Sequence, residues 1–171
     1  MSHDEYYGPD RITKEEADKL KNEVAYPLMK RARSFTEFWD AMIQGPIKVY
    51  HESQRDLYRL AFYSGALHLI VVGRGKPPKK RQSIAEEVWT YLHITDTDIS
   101  MPPTSGPFRD GWTAFADRPL YDTPDDPELR DFYRAAYYNG AGAVLALLTK
   151  DVSIHVMTQE IESYLATVTP H

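Results

Sequence analysis

The sequence predicts an all-α protein. Helix-start signals recur along the 171 residues, apolar residues follow helical spacing over long stretches, and the alternation typical of β-strands is nowhere sustained. A twelve-residue segment also occurs twice. We therefore expect a helical bundle built from two tandem, pseudo-symmetric αα-hairpin repeats plus an N-terminal helix.

Signals for individual helices appear in chain order. A capping box, in which a Ser or Thr is followed three residues later by a Glu, opens three predicted helices, after Thr13, Ser34 and Ser83. Apolar periodicity predicts long helices over 53–72 and 127–150 and a final helix over 158–168. The stretch 95–127 holds six of the twelve prolines, which predicts a largely irregular chain there.

Length and composition exclude several classes of protein. With no cysteine, the chain cannot carry disulfides, cysteine-based zinc sites, iron–sulfur clusters or a thiol nucleophile. Its 20 Lys plus Arg against 25 Asp plus Glu give a net charge of −5, which argues against general nucleic-acid binding. No apolar run reaches the ~18 residues of a membrane span, and the N-terminus shows no apolar signal region. These features predict a cytoplasmic protein.

The predicted organisation is one co-folded domain, since a length of about 150 residues is ordinary for a domain and a 60-residue unit is marginal alone. Its predicted parts are an N-terminal arm and helix (1–32), a first repeat (33–95), a Pro-rich linker (96–109) and a second repeat (110–168).

The repeat is defined by residues 55–66 and 130–141, which are 75 positions apart and identical at eight of twelve positions. The flanking segments agree more weakly: 35–40 resembles 112–117, and 87–92 resembles 160–165. Each predicted unit is a short aromatic helix or turn, a long helix and an amphipathic return helix.

Both copies carry a Gly-Ala pair in the middle of the long helix, Gly65-Ala66 and Gly140-Ala141. Glycine inside a helix costs about 1 kcal/mol relative to alanine, so its presence twice at the same place predicts close helix packing there. The partner is expected to be the unit's own return helix or the other copy's long helix. The second arrangement would follow if a homodimeric ancestor had been fused by duplication.

Each long helix also carries a stripe of two arginines and a tyrosine at four-residue spacing. Arginine forks suit carboxylates and phosphates, and they also stack on aromatic rings. The stripes are therefore candidate anion or partner sites, or structural groups whose stems cover Trp39 or Trp112. The residues are Arg55, Arg59 and Tyr63 in the first copy, and Arg130, Arg134 and Tyr138 in the second.

The segment Arg59-Leu-Ala-Phe-Tyr-Ser-Gly-Ala66, preceded by Gln54 and by Phe35-Thr-Glu-Phe-Trp39, resembles small proteins encoded by tailed phages and prophages. The second copy departs from that pattern, with Tyr137-Tyr138-Asn139 and with Leu129 in place of the glutamine. The resemblance implies a phage accessory protein acting in the bacterial cytoplasm, and it supplies no catalytic residues.

Motifs that would name a reaction are missing from the sequence. The segment Gly73-Arg-Gly-Lys76 lacks the spacing of a phosphate loop. The six histidines form no i, i+4 ligand pair, and no G-x-S-x-G elbow is present. We therefore expect no enzyme activity, no metal site and no cofactor, and we expect His68 to be packed or partly exposed.

One local charge signature remains, in the loop predicted over 74–81. It holds five cations and no acid, and it could contact nucleic acid or an acidic protein surface or simply be solvated. The five residues are Arg74, Lys76, Lys79, Lys80 and Arg81.

These observations favour a non-enzymatic binding protein that engages a host or phage protein, with inhibition of host defence as one possible outcome. The aromatic content, with 12 Tyr and 3 Trp, is of the kind that interfaces favour. One alternative is sequestration of a small anionic ligand, such as a signalling nucleotide, in a pseudo-twofold cleft lined by Arg59, Arg134, Tyr63 and Tyr138. Another is a structural phage component that packs as a homo-oligomer.

Overall fold

The structure, a computed structural model, describes residues 12–97, 106–116 and 127–168, and no strand occurs in those ranges. The all-α prediction is confirmed. The α-helices are α1 Lys14–Lys19, α2 Tyr26–Arg31, α3 Phe35–Met42, α4 Glu52–Gly73, α5 Pro78–Thr97, α6 Pro107–Ala116, α7 Pro127–Leu148 and α8 Ile154–Val168. A π-helix (Leu20–Ala25) joins α1 to α2, and a 3₁₀-helix (Pro46–Val49) precedes α4.

Two of the predicted capping boxes start helices as expected. The Thr13 hydroxyl accepts a hydrogen bond from the Glu16 amide at 3.1 Å, and the Ser34 hydroxyl accepts one from the Glu37 amide at 3.1 Å. Each bond satisfies one of the amides that the first turn of a helix leaves without a partner.

Three boundaries differ from the sequence prediction. Helix α5 begins at Pro78 and not after Ser83, because the first helical position needs no amide donor and suits proline. Three cations of the predicted loop therefore lie in the first turn of α5. Helix α6 lies inside the stretch predicted to be irregular and begins within the predicted linker, and α8 begins at Ile154, four residues early.

The two long helices, α4 and α7, form the centre of the bundle and run in the same direction. Near their N-terminal ends, the rings of Tyr58 and Phe132 lie 4.8 Å apart. Their C-terminal ends line one cavity. A Cβ added to Gly65 would collide with the carbonyl oxygen of Tyr137, and one added to Gly140 would collide with that of Phe62. Close packing at the glycines is thus confirmed, and the partner is the other long helix.

The return helices pack mainly on the opposite long helix. Helix α8 packs against α4 and α5 packs against α7, more extensively than either packs on the helix that precedes it. The hairpins of the sequence prediction are therefore intertwined, and the two halves contribute to one aromatic and aliphatic core.

The short helices α3 and α6 are held by one glutamate each from the return helices. Glu160 accepts hydrogen bonds from the amides of Phe35 and Thr36, at 3.1 and 3.4 Å. Glu87 accepts hydrogen bonds from the amides of the first residues of α6, Phe108 at 3.3 Å and Arg109 at 2.9 Å. A carboxylate at a helix N-terminus satisfies free amides and complements the helix dipole.

These contacts align the aromatic segments of the two halves differently from the alignment that the sequence suggested, and we call the new alignment the structural register. Glu87 and Glu160 are 73 positions apart, as are Phe35 and Phe108. The equivalence of 35–40 with 112–117 is wrong, and Trp39 corresponds to Trp112. Phe35 packs on Phe62, and Phe108 packs on Tyr137, which is the corresponding residue of α7.

In the structural register, one difference between the halves is compensated by another. Phe38 corresponds to Gly111, and His68 corresponds to Ala143. Phe38 and Ala143 line the same cavity, whereas a Cβ on Gly111 would collide with the His68 ring. The large residue lies on the short helix in one place and on the long helix in the other. Such paired contacts support the duplication, which itself stays a prediction.

The side chain of Lys150 ties the N-terminal helices to the turn between α7 and α8. The ammonium group of Lys150 donates to three carbonyl oxygens at the C-terminal end of α2, those of Met29, Lys30 and Ala32, at 3.1, 2.7 and 3.1 Å. A cation there satisfies carbonyls that the helix end leaves free.

Candidate functional site

The Arg-Tyr stripe of α4 packs against an aromatic side chain of α8. The guanidinium carbon of Arg59 lies 4.3 Å from the centroid of the Tyr164 ring and 5.3 Å from that of Tyr63. It also lies 5.7 Å from the Trp39 ring, as the structural alternative predicts. The rings of Tyr63 and Tyr164 are 4.1 Å apart.

The stripe of α7 makes the corresponding contacts with α5. The guanidinium carbon of Arg134 lies 5.1 Å from the Tyr91 ring and 5.8 Å from the Tyr138 ring. Tyr91 and Tyr138 stack with centroids 3.8 Å apart. Each arginine thus links a tyrosine of its own helix to one on the return helix of the other half.

Burial decides what the stripes can do. Tyr63 and Tyr138 are 1% and 0% exposed, and the arginines of both stripes are half-buried. Burial raises the pKa of Tyr164 to about 12, although Arg59 acts in the opposite direction. Arg59 and Arg134 make cation–π contacts between helices, and none of the six stripe residues lines the cavity described next.

A cavity of about 520 Å³ opens where the long helices end, and we call it the helix-end cavity. Its floor is formed by matching positions of α4 and α7, where Leu69 corresponds to Val144 and Ile70 corresponds to Leu145. Ile84 of α5 and Ile154 of α8 close the sides. The two halves therefore do form a shared cleft, but its floor is aliphatic and contains neither arginines nor tyrosines of the stripes.

The rim of this cavity is asymmetric in charge. Arg74, Lys76 and Arg81 line one side. Helix α8 supplies His155 and Thr158 to the other side, and the lining includes no Asp or Glu. All five cations of the basic segment Arg74–Arg81 are exposed. The turn between α7 and α8 adds one exposed carboxylate, Asp151, and Lys150 is engaged with α2.

Large apolar side chains are exposed at the same end of the bundle. Their exposed fractions range from 38% to 51%, and the residues are Val71, Leu148, Ile154 and Val156. We define the helix-end face as these four residues together with the five cations of the basic segment. A second exposed apolar group lies elsewhere, formed by Val24, Tyr26 and Leu28, with Trp89 and Tyr26 lining a smaller cavity of about 330 Å³.

The sequence identified the basic segment but not the cavity beside it. The cavity depends on the parallel arrangement of α4 and α7 and on the early start of α8, and neither was predicted. The sequence did contain one signal for the cavity. Aliphatic residues occupy matching positions of the two copies, Leu69 with Val144 and Ile70 with Leu145, and they extend the repeat beyond 66 and 141.

His68 of α4 is a partly buried titratable side chain. Its ring stacks on Phe108 at 5.0 Å, and its Nδ1 atom is buried without a hydrogen-bond partner. Burial lowers the pKa of His68, and Asp110 partly opposes that effect. The ring is thus neutral near pH 7 and fills space, as the packed alternative predicts.

Within the described ranges, no group of three or more His, Asp or Glu side chains could hold a metal ion. No helix in the part of the chain that the structure describes is long and apolar enough to cross a membrane. No family model, no curated protein and no solved structure matches the chain.

Proposed function

We propose that this chain is a non-enzymatic accessory protein of a tailed phage or prophage that binds a host or phage protein through the helix-end face. The observation that carries the proposal is the presence of four exposed apolar side chains and five exposed cations at one end of the bundle. Exposed apolar groups bordered by charged residues are typical of interaction sites. A component of host defence is one such target.

The distribution of charge indicates the kind of partner. The whole chain carries a charge of −5, yet the basic segment holds five cations within eight residues and no acid. A partner surface with carboxylates around an apolar centre would match both features. Charges at the rim of an interface act mainly on the rate of association and on specificity.

The second apolar group, at Val24, Tyr26 and Leu28, has a weaker charge signature, because 14–33 carries six cations and four acids, whereas the basic segment carries five cations and no acid. For this reason the helix-end face is the stronger candidate. The Arg-Tyr stripes are weaker candidates still, since their tyrosines are buried in the core.

Affinity capture from a lysate of the bacterial host tests the proposal. One variant combines Lys76→Glu, Lys79→Glu and Lys80→Glu on the helix-end face. Its matched control combines Lys14→Glu, Lys19→Glu and Lys48→Glu, three exposed lysines that line no part of the helix-end cavity. Each set changes the net charge from −5 to −11, because every Lys→Glu change subtracts two from it.

The expected result is a stoichiometric partner that is recovered with the wild-type chain and the control and is lost with the helix-end variant. Equal recovery with both variants would show that the partner binds elsewhere. A second pair, Ile154→Ser with Val156→Ser against Val24→Ser with Leu28→Ser, tests the apolar part in the same assay.

A further inference from the structure

We propose that the helix-end cavity is a binding site for a small amphipathic carboxylate, an aliphatic monocarboxylate of medium chain length. Its hydrocarbon chain would lie between α4 and α7, and its carboxylate would lie at the rim near Arg74 and Arg81. The proposal does not rest on the protein-binding function above: it concerns a different class of ligand and the interior of the cavity, although its rim cations, Arg74 and Arg81, also belong to the helix-end face.

The size and enclosure of the cavity fit a ligand site. Its volume of about 520 Å³ falls in the range of small-molecule pockets, roughly 300–1,000 Å³. Helices α4, α5, α7 and α8 all contribute side chains, so the space is bounded on several sides. Leu69, Ile70 and Val144 on the floor are each less than 10% exposed, which gives the cavity a depth beyond a surface dimple.

The interior favours a hydrocarbon over a nucleotide. Aliphatic side chains form the floor and walls, and a nucleobase would lose its hydrogen bonds to water there without replacement. Thr158, the one hydroxyl in the lining, already donates to the carbonyl oxygen of Ile154 at 2.7 Å. The His155 ring contacts the Gln159 side chain at 3.4 Å. A nucleotide in this cleft is therefore disfavoured.

The rim favours an anion at one position. Arg74, Lys76 and Arg81 stand on the side of α4 and α5, and no carboxylate lines the cavity. The opposite lip, with Leu148, Ile154, His155 and Thr158, contributes no Lys or Arg. A ligand with a single carboxylate at one end of an apolar chain matches this one-sided pattern. Arginine can hold a carboxylate with two parallel hydrogen bonds.

Isothermal titration calorimetry of the full chain with hexanoate, octanoate and decanoate tests the proposal. Burial of methylene groups predicts affinity that rises about fourfold for each added methylene, until the chain fills the cavity. Octanol should bind more weakly than octanoate, and octylamine should bind more weakly still, because the rim is cationic. Equal binding of octylamine and octanoate, or an affinity independent of chain length, would overturn the proposal.

The variant Gly73→Leu blocks the cavity without disturbing the fold. A Cβ at Gly73 would meet only the Cγ atom of Arg81, at 3.9 Å, and the added side chain would enter the cavity that Gly73 lines. We expect unchanged helicity and loss of decanoate binding by at least tenfold. Unchanged binding would overturn the site assignment.

The variants Arg74→Gln and Arg81→Gln test the position of the carboxylate. Each should reduce the preference for octanoate over octanol by about two- to fivefold, as expected for ion pairs near the surface. Lys48→Gln, an exposed cation that precedes the N-terminal end of α4, is the control and should have no effect. If Gly73→Leu abolished partner capture while no carboxylate bound, the cavity would hold an apolar side chain of a protein partner, and the present proposal would be wrong.

Discussion

Gly65 of α4 lies directly against the carbonyl group of Tyr137 in α7. The corresponding residue of α7, Gly140, lies against the carbonyl group of Phe62. Two such contacts at matching positions bring the long helices closer than any side chain would permit. This close approach explains why the sequence keeps a glycine inside each helix despite its cost of about 1 kcal/mol.

Gly65→Ala should destabilise the protein by about 3 kcal/mol or more, because the new methyl group would collide with a backbone atom, which cannot rotate away as a side chain would. Gly73→Ala in the same helix is the matched control, since its Cβ has space. That change should be neutral or stabilising by up to about 1 kcal/mol. Chemical denaturation followed by circular dichroism measures both. Equal effects of the two changes would contradict the close approach.

Because the His68 ring occupies the space beside Gly111, substitutions at the two positions should have coupled effects on stability. Gly111→Phe alone should destabilise the protein by about 3 kcal/mol through collision with the His68 ring, and His68→Ala alone by about 2 kcal/mol through the space it leaves. The double variant recreates the pairing of Phe38 with Ala143 and should lie within about 1.5 kcal/mol of the wild type. Additive effects in the denaturation cycle would show that the two positions do not share space.

His68 also predicts a pH dependence. Because burial lowers its pKa below the ordinary 6.5, the unfolded chain binds a proton more readily than the folded one. The stability associated with the neutral ring is full above about pH 6.5 and is lost as the pH falls below it. The difference in unfolding free energy between the wild type and the His68→Ala, Gly111→Phe variant should therefore shrink between pH 7 and pH 5. A constant difference would show that the ring titrates normally.

Arg59 is expected to act in packing and not in ligand binding. Arg59→Ala removes a guanidinium group that packs on the rings of Tyr63 and Tyr164 and should cost about 1–2 kcal/mol. Thermal denaturation should show a lower melting temperature, whereas Arg33→Ala, at an exposed position, should show little change. An unchanged melting temperature together with lost partner capture would instead assign Arg59 to a binding surface.

Local features of the fold could be predicted because their causes are local. The caps at Thr13 and Ser34 depend on residues three positions apart, and the long helices depend on apolar periodicity. Close packing at Gly65 and Gly140 could be predicted because a glycine, which destabilises a helix interior, occurs at the same position in both copies. Each of these signals is contained within a single helix.

Features that depend on the relation between helices could not be predicted in the same way. Each return helix packs mainly on the long helix of the other half. No local signal in the sequence predicts this arrangement, because α5 and α8 both have an apolar face. The sequence suggests the wrong alignment of the aromatic segments because Trp112-Thr-Ala-Phe resembles Phe35-Thr-Glu-Phe. The contacts that set the alignment are made by Glu87 and Glu160, which lie on the return helices. The cavity follows from both arrangements, so the sequence predicted the cations at its rim but not the cavity itself.

Amide hydrogen exchange of the protein, free and bound to its captured partner, tests the central claim most directly. The claim is that the helix-end face is the surface that binds a protein. Binding should slow exchange in 69–84 and 148–158, the segments that carry this face, and should leave the segment 14–33 unchanged. Protection confined to 24–28 and to the surroundings of Trp89, with none in 69–84 or 148–158, would contradict the account.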